Sequence, residues 1–79
     1  MGGISMKYHH YIECLLDGGF RELGYFSGIR VFLGADLLIT VEEYGGGFQV
    51  TFDSTIRNIG DVYYVSNDNQ LCQLIGEYL

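Results

Sequence analysis

The chain reads as an α+β domain, a two-layer sandwich in which an N-terminal and a C-terminal helix cover one face of an antiparallel sheet. Three observations predict it. Apolar residues alternate in three successive triplets, Ile29/Val31/Leu33, Leu37/Ile39/Val41 and Phe48/Val50/Phe52. Helical spacing of apolar residues occurs near the two ends. Twelve glycines and no proline fall between these stretches as punctuation. At 79 residues there is one domain, since a second core would need roughly 50 more.

Residues 1–5, Met-Gly-Gly-Ile-Ser, are expected to be a disordered start or a cloning remnant, leaving 6–79 as the domain. They lack the basic-then-apolar opening of a secretory signal. From Met6 to Leu16, Tyr8, Ile12, Leu15 and Leu16 fall at helical spacing, and Asp17-Gly18-Gly19 stops the pattern. Glu22 to Phe26 is ambiguous between helix and strand and is read as a short strand. The sheet therefore has four strands, or five if this segment joins it.

Register follows from requiring the triplets to share one face. A three-residue loop, Gly34-Ala35-Asp36, sets Leu33 opposite Leu37 and Val31 opposite Ile39, with Asp36 left-handed. A two-residue Gly45-Gly46 turn sets Val41 opposite Val50 and Ile39 opposite Phe52, where looping out three glycines would put Glu42 on the core face. A last strand spans about Asp61 to Val65, after a connection whose Ile56 and Ile59 tuck under the sheet. Ser66 caps the second helix, Asp68 complements its dipole, and Leu71, Leu74, Ile75 and Tyr78 form its buried stripe. Ile39, Val50 and Phe52 should pack on Leu74 and Ile75. The opposite face then carries Arg30, Thr40, Glu42, Gln49, Thr51 and Asp53, with Phe32, Tyr44 and one of Tyr63 and Tyr64 also outward.

Ten acidic residues against four basic ones give a formal charge of -6, which repels a phosphate backbone and an anionic membrane surface. Direct nucleic-acid and membrane partners are therefore not expected. No run reaches the ~20 apolar residues of a spanning helix. Cys14 and Cys72 read as two buried free thiols of a cytoplasmic protein, because one bridge is not the dense framework of small secreted domains.

Catalysis needs a nucleophile beside a base or paired carboxylates, and the sequence displays neither. His10 and Cys14 stand four apart, but zinc asks for further ligands and no second pair is visible. His9 and His10 read as exposed polar side chains. The glycine runs lack the lysine, serine and spacing of phosphate-binding loops. The expectation is a non-enzyme with no cofactor and no metal.

The acidic residues form a more suggestive set. Glu42 and Asp53 project from neighbouring strands, Asp36 sits in an adjoining turn, and Asp61 starts the last strand. With Tyr44 and Gln49 they compose a candidate partner-binding surface, carboxylates beside an aromatic anchor. Such a surface can imitate phosphates and occupy a basic groove.

This layout, a short first helix, an antiparallel meander from Ile29 to Val65 and a final helix from Ser66 to Leu79, resembles that of several small acidic phage anti-CRISPR proteins. The resemblance is one of architecture and covers nearly the whole chain, with no family residue transferred by position. It implies an inhibitor that docks on a CRISPR effector subunit and blocks its nucleic-acid path, acting as monomer or homodimer in the host-cell cytoplasm. An immunity or antitoxin protein neutralising a basic toxin follows the same charge logic. A small thiol enzyme using His10 and Cys14 is the third alternative.

Overall fold

Alternating apolar residues make strands only where the turns between them close, and here four tight connections produce a continuous meander. The computed structural model describes residues 9–79. In chain order it contains α1 (His10–Asp17), β1 (Arg21–Phe26), β2 (Ile29–Gly34), β3 (Leu37–Tyr44), β4 (Gly47–Ser54), β5 (Ile59–Val65) and α2 (Asp68–Tyr78). All five strands join one antiparallel sheet in the order β1-β2-β3-β4-β5. Both helices lie on one face and pack against each other, so the fold is the α+β sandwich expected, with the Glu22 to Phe26 segment as its fifth strand. The expected start at residues 1–5 and the first turn of the helix read from Met6, including Tyr8, lie outside the described residues.

The core closes between the layers. Tyr11 and Leu15 of α1 and Leu71 and Ile75 of α2 meet Leu37, Ile39 and Val41 of β3 and Phe48, Val50 and Phe52 of β4. Leu74 and Tyr78 pack at its margin, and the Tyr78 ring stacks on Phe52 at 3.8 Å between centroids. The stripe of α1 is thus Tyr11/Leu15: Leu15 is buried as expected, while Tyr11 joins it in place of Ile12, which is half-buried, and Leu16, which is exposed.

The β3–β4 hairpin has the expected register: Val41 faces Val50, Ile39 faces Phe52, and Gly45 and Gly46 both take positive φ in the turn. The β2–β3 hairpin does not. Its loop is two residues long, Ala35 and Asp36 at φ 50° and 61°, so Leu33 pairs with Leu38 and Phe32 with Ile39. This one-residue slip exchanges the faces of β2. Phe32 is fully buried, and Ile29, Val31 and Leu33 point away from the helices.

Arg30 consequently lies on the helix-covered side, not the open one. Its guanidinium bonds Glu22 at 2.8 Å and sits 4.2 Å over the Tyr25 ring, partners supplied by β1. Burial would lower the Arg30 pKa, but the hydrogen bond and charge of Glu22 outweigh it and raise it.

Two further positions differ from expectation. Ile56 is 76% exposed at the tip of the β4–β5 connection, while Ile59 packs on the core. Asn67, one residue after Ser66, caps α2 by accepting the Gln70 amide hydrogen bond, and the Gln70 side chain accepts from the Ser66 amide in return.

Candidate functional site

Pairing across the antiparallel sheet places the open face in three rows. One end row runs Phe26, Ile29, Glu42, Gln49, Tyr64; the middle row Gly24, Val31, Thr40, Thr51, Val62; the far row Arg21, Leu33, Leu38, Asp53, Gly60. Apart from Arg21, apolar groups thus lie along β1–β2; apart from Leu38, polar groups lie along β3–β4; and Val62 and Tyr64 lie on β5. Phe26, Val62, Tyr44 and Tyr64 are 70, 62, 59 and 53% exposed.

Tyr44, two residues beyond Glu42 on β3 and paired with Gly47, stands just past the first row. Its ring meets Tyr64 edge to face at 6.0 Å, and the Tyr64 hydroxyl donates to the Tyr44 carbonyl. The Gly45-Gly46 turn holds this pair beside Glu42 and Gln49. Tyr44 and Tyr64 are both outward as expected, whereas Phe32 is core.

The six candidate residues separate into three groups. Glu42, Tyr44 and Gln49 lie together at the glycine-turn end. Asp36 and Asp53 flank an open depression at the opposite end, floored by Leu33, Leu38 and Ile56. Two rows separate Asp53 from Glu42, roughly 14 Å at normal strand geometry. Asp61 stands on the helix-covered side, where the Tyr78 hydroxyl donates to it. That hydroxyl also shares a hydrogen bond with Tyr63 at 2.7 Å. Burial, then the Asp61 and Tyr63 hydrogen bonds, raise the Tyr78 pKa.

A second cluster lies at the α1–α2 contact. Cys14 and Cys72 are half-buried, with sulfurs 2.9 Å apart, and a ring nitrogen of exposed His10 lies within 4.8 Å of both. The Asp68 carboxylate accepts the His10 and Tyr11 backbone amides at 2.6 and 2.8 Å, capping α1 from α2, and stands 3.9 Å from the Cys72 sulfur. Desolvation, then the neighbouring Cys14 and Asp68, push the Cys72 thiol up to about 12. His9 is not exposed as expected; it is half-buried, 3.3 Å from Glu43 and edge-on to Phe48.

Sequence reading found half of this cluster, the pair four apart on α1. The other half, Asp68 and Cys72, is also four apart, on α2. Only the packing of the helices brings the two pairs together.

Compared with protein-family models, with curated proteins and with solved structures, the chain matches none. Among the described residues, no helix is long and apolar enough to cross a membrane.

Proposed function

We propose that the protein is a non-enzymatic binding module whose open sheet face docks on a basic protein and inhibits it. The observation that supports this reading is the Tyr44–Tyr64 pair, exposed beside Glu42 and Gln49 at a hairpin end. Aromatic anchors next to polar groups are what a protein interface uses for packing and orientation. Glu42, Asp36 and Asp53 have no cationic partner among the described residues, so their charge is available to a partner. The net charge of -6 selects a basic one.

Proteins that bind nucleic acid carry such basic grooves, and the proposed target is a CRISPR effector subunit, with a basic toxin as the alternative. The carboxylates on the open face are spaced, not contiguous, so they act on a groove as separate charges around an aromatic and apolar contact. Cys72, whose pKa burial raises, does not have the character of an activated nucleophile.

Affinity capture from the source cell with immobilised wild-type protein tests the reading. Capture of a basic protein by wild type, lost with the Tyr44→Ala/Glu42→Lys variant and kept with an Asp17→Asn control on α1, is the expected result. Equal capture by wild type and the double variant removes the open face from consideration.

A further inference from the structure

At the α1–α2 contact, His10, Cys14 and Cys72 bring three metal-ligating atoms within 4.8 Å of one another. Residues four apart on a helix project from one face, so His10 and Cys14 present a nitrogen and a sulfur together, and Cys72 completes the set from α2. We propose that His10, Cys14 and Cys72 bind a zinc ion, with the fourth position open to water.

The donor set carries the choice of ion. Two thiolates and an imidazole suit Zn²⁺, which takes sulfur at about 2.3 Å and nitrogen at about 2.0 Å in a tetrahedron. Sulfurs of that tetrahedron stand about 3.8 Å apart. The present separation is 2.9 Å, so side-chain rotations that part the sulfurs by about 1 Å admit the ion. On binding, both thiols release their protons to solvent, and each sulfur and the imidazole nitrogen donate a lone pair to the cation.

The surroundings are arranged for this. Asp68 fixes the start of α1 through the His10 and Tyr11 amides and lies against Cys72, so one carboxylate positions residues of both helices at the ligand set. It stays in that role, with its oxygens already holding backbone donors. His10 is exposed, which opens the site to ions from solvent. The centre also joins α1 to α2, so loading it adds binding free energy to folding. It is independent of the open sheet face, which lies across the sheet.

The test is titration of the reduced full-length protein with Co²⁺ alone under anaerobic conditions, followed by Zn²⁺. One equivalent of Co²⁺ should give intense thiolate-to-cobalt charge-transfer absorption with the visible bands of a tetrahedral ion, and Zn²⁺ should displace it. The melting temperature should rise with Zn²⁺ concentration. His10→Ala removes an exposed side chain, so it should keep the wild-type circular dichroism spectrum while Co²⁺ affinity falls by at least about tenfold. Cys14→Ser should diminish the charge-transfer band. An octahedral cobalt spectrum, absence of the band, or undiminished affinity in folded His10→Ala would overturn the proposal. So would a Cys14–Cys72 disulfide that forms on aeration in the presence of one equivalent of Zn²⁺.

Discussion

The Asp68 carboxylate, in the first turn of α2, accepts the backbone amide of Tyr11 in the first turn of α1 at 2.8 Å. The second oxygen takes the His10 amide at 2.6 Å. α1 has no cap of its own, because the His9 side chain bonds none of its amides. A residue 57 positions away therefore satisfies donors that α1 leaves open, and its charge lies near the positive ends of both helices.

Asp68→Ala should therefore destabilise by about 1–2 kcal/mol, at the upper end for a single cap because two amides lose their acceptor. Asn67→Ala, which removes only the α2 cap, should cost about 1 kcal/mol. Urea unfolding with chelator present, so that no metal contributes, measures both. Equal losses for the two variants would mean that α1 does not depend on Asp68.

The slip in β2 gives a second prediction. Phe32→Ala should cost about 3–5 kcal/mol, a large part of the stability of a domain this size, whereas Leu33→Ala should cost less than about 1.5 kcal/mol. Phe32 is fully buried beside Tyr11 and Ile39, and Leu33 is 36% exposed. A larger loss for Leu33→Ala would restore the register in which β2 presents Leu33 and Val31 to the helices. Phe52→Ala should match Phe32→Ala, since both registers bury Phe52.

This contrast shows what the sequence could specify. β3 and β4 alternate cleanly, and a single alternative turn would have buried Glu42, so the pairing had one acceptable solution. β2 reads Ile-Arg-Val-Phe-Leu, apolar at four of five positions, so either face could have been the core. Only loop length decides, and it depends on Ala35 adopting a left-handed conformation that its Cβ disfavours. Arg30 is accommodated on the helix side because β1 supplies Glu22 and Tyr25, partners that no local spacing in β2 announces. The six candidate surface residues were legible as exposed or polar, but Asp61 was misplaced because its partner, Tyr78, is 17 residues later. Of the cysteine and histidine cluster, sequence reading found the His10/Cys14 pair on α1; Cys72 lies 58 residues from Cys14, and only the packing of the helices brings it in.

Alkaline stability gives a third prediction. Tyr11, buried against the helices and sheet, and Tyr78 both have raised pKa values, Tyr11 chiefly through desolvation. An unfolded tyrosine loses its proton near pH ~10, while the folded ones hold theirs beyond it. Their contribution is thus complete below about pH 10 and is lost as pH rises above it, with a slope of up to about 1.4 kcal/mol per unit for Tyr11. Unfolding free energy followed from pH 8 to 11.5 should fall at the alkaline end, and less steeply in Tyr78→Phe, which keeps the stack on Phe52 but has no ionisable hydroxyl. An identical alkaline profile for that variant would show that Tyr78 does not titrate with unfolding.

The last prediction concerns how the open face engages its partner, and it follows from the distances among its groups. Glu42 and Asp53 stand roughly 14 Å apart, beyond the ~8 Å screening length at physiological salt, so at close range each acts on its own part of a basic groove. At low salt their fields overlap and steer the approach together. The Glu42→Lys/Asp53→Lys variant should therefore associate more slowly by one order of magnitude or more at low salt, and by less as salt rises. Its fold should survive, because both side chains leave the sheet on its solvated side. Tyr44 makes no long-range contribution; its ring, packed edge-on to Tyr64, supplies contact only after docking. Tyr44→Ala should accordingly leave association nearly unchanged and speed dissociation by about tenfold or more, the signature of a buried aromatic anchor. Arg21 in the far row offers an internal check, since removing the positive charge with Arg21→Gln should quicken association with a basic partner. Stopped-flow or surface-based kinetics at two salt concentrations, with the captured partner, resolve these rates. Salt-independent association by wild type, together with unchanged rates for the double reversal, would leave the aromatic contact standing and remove the basic groove from the account.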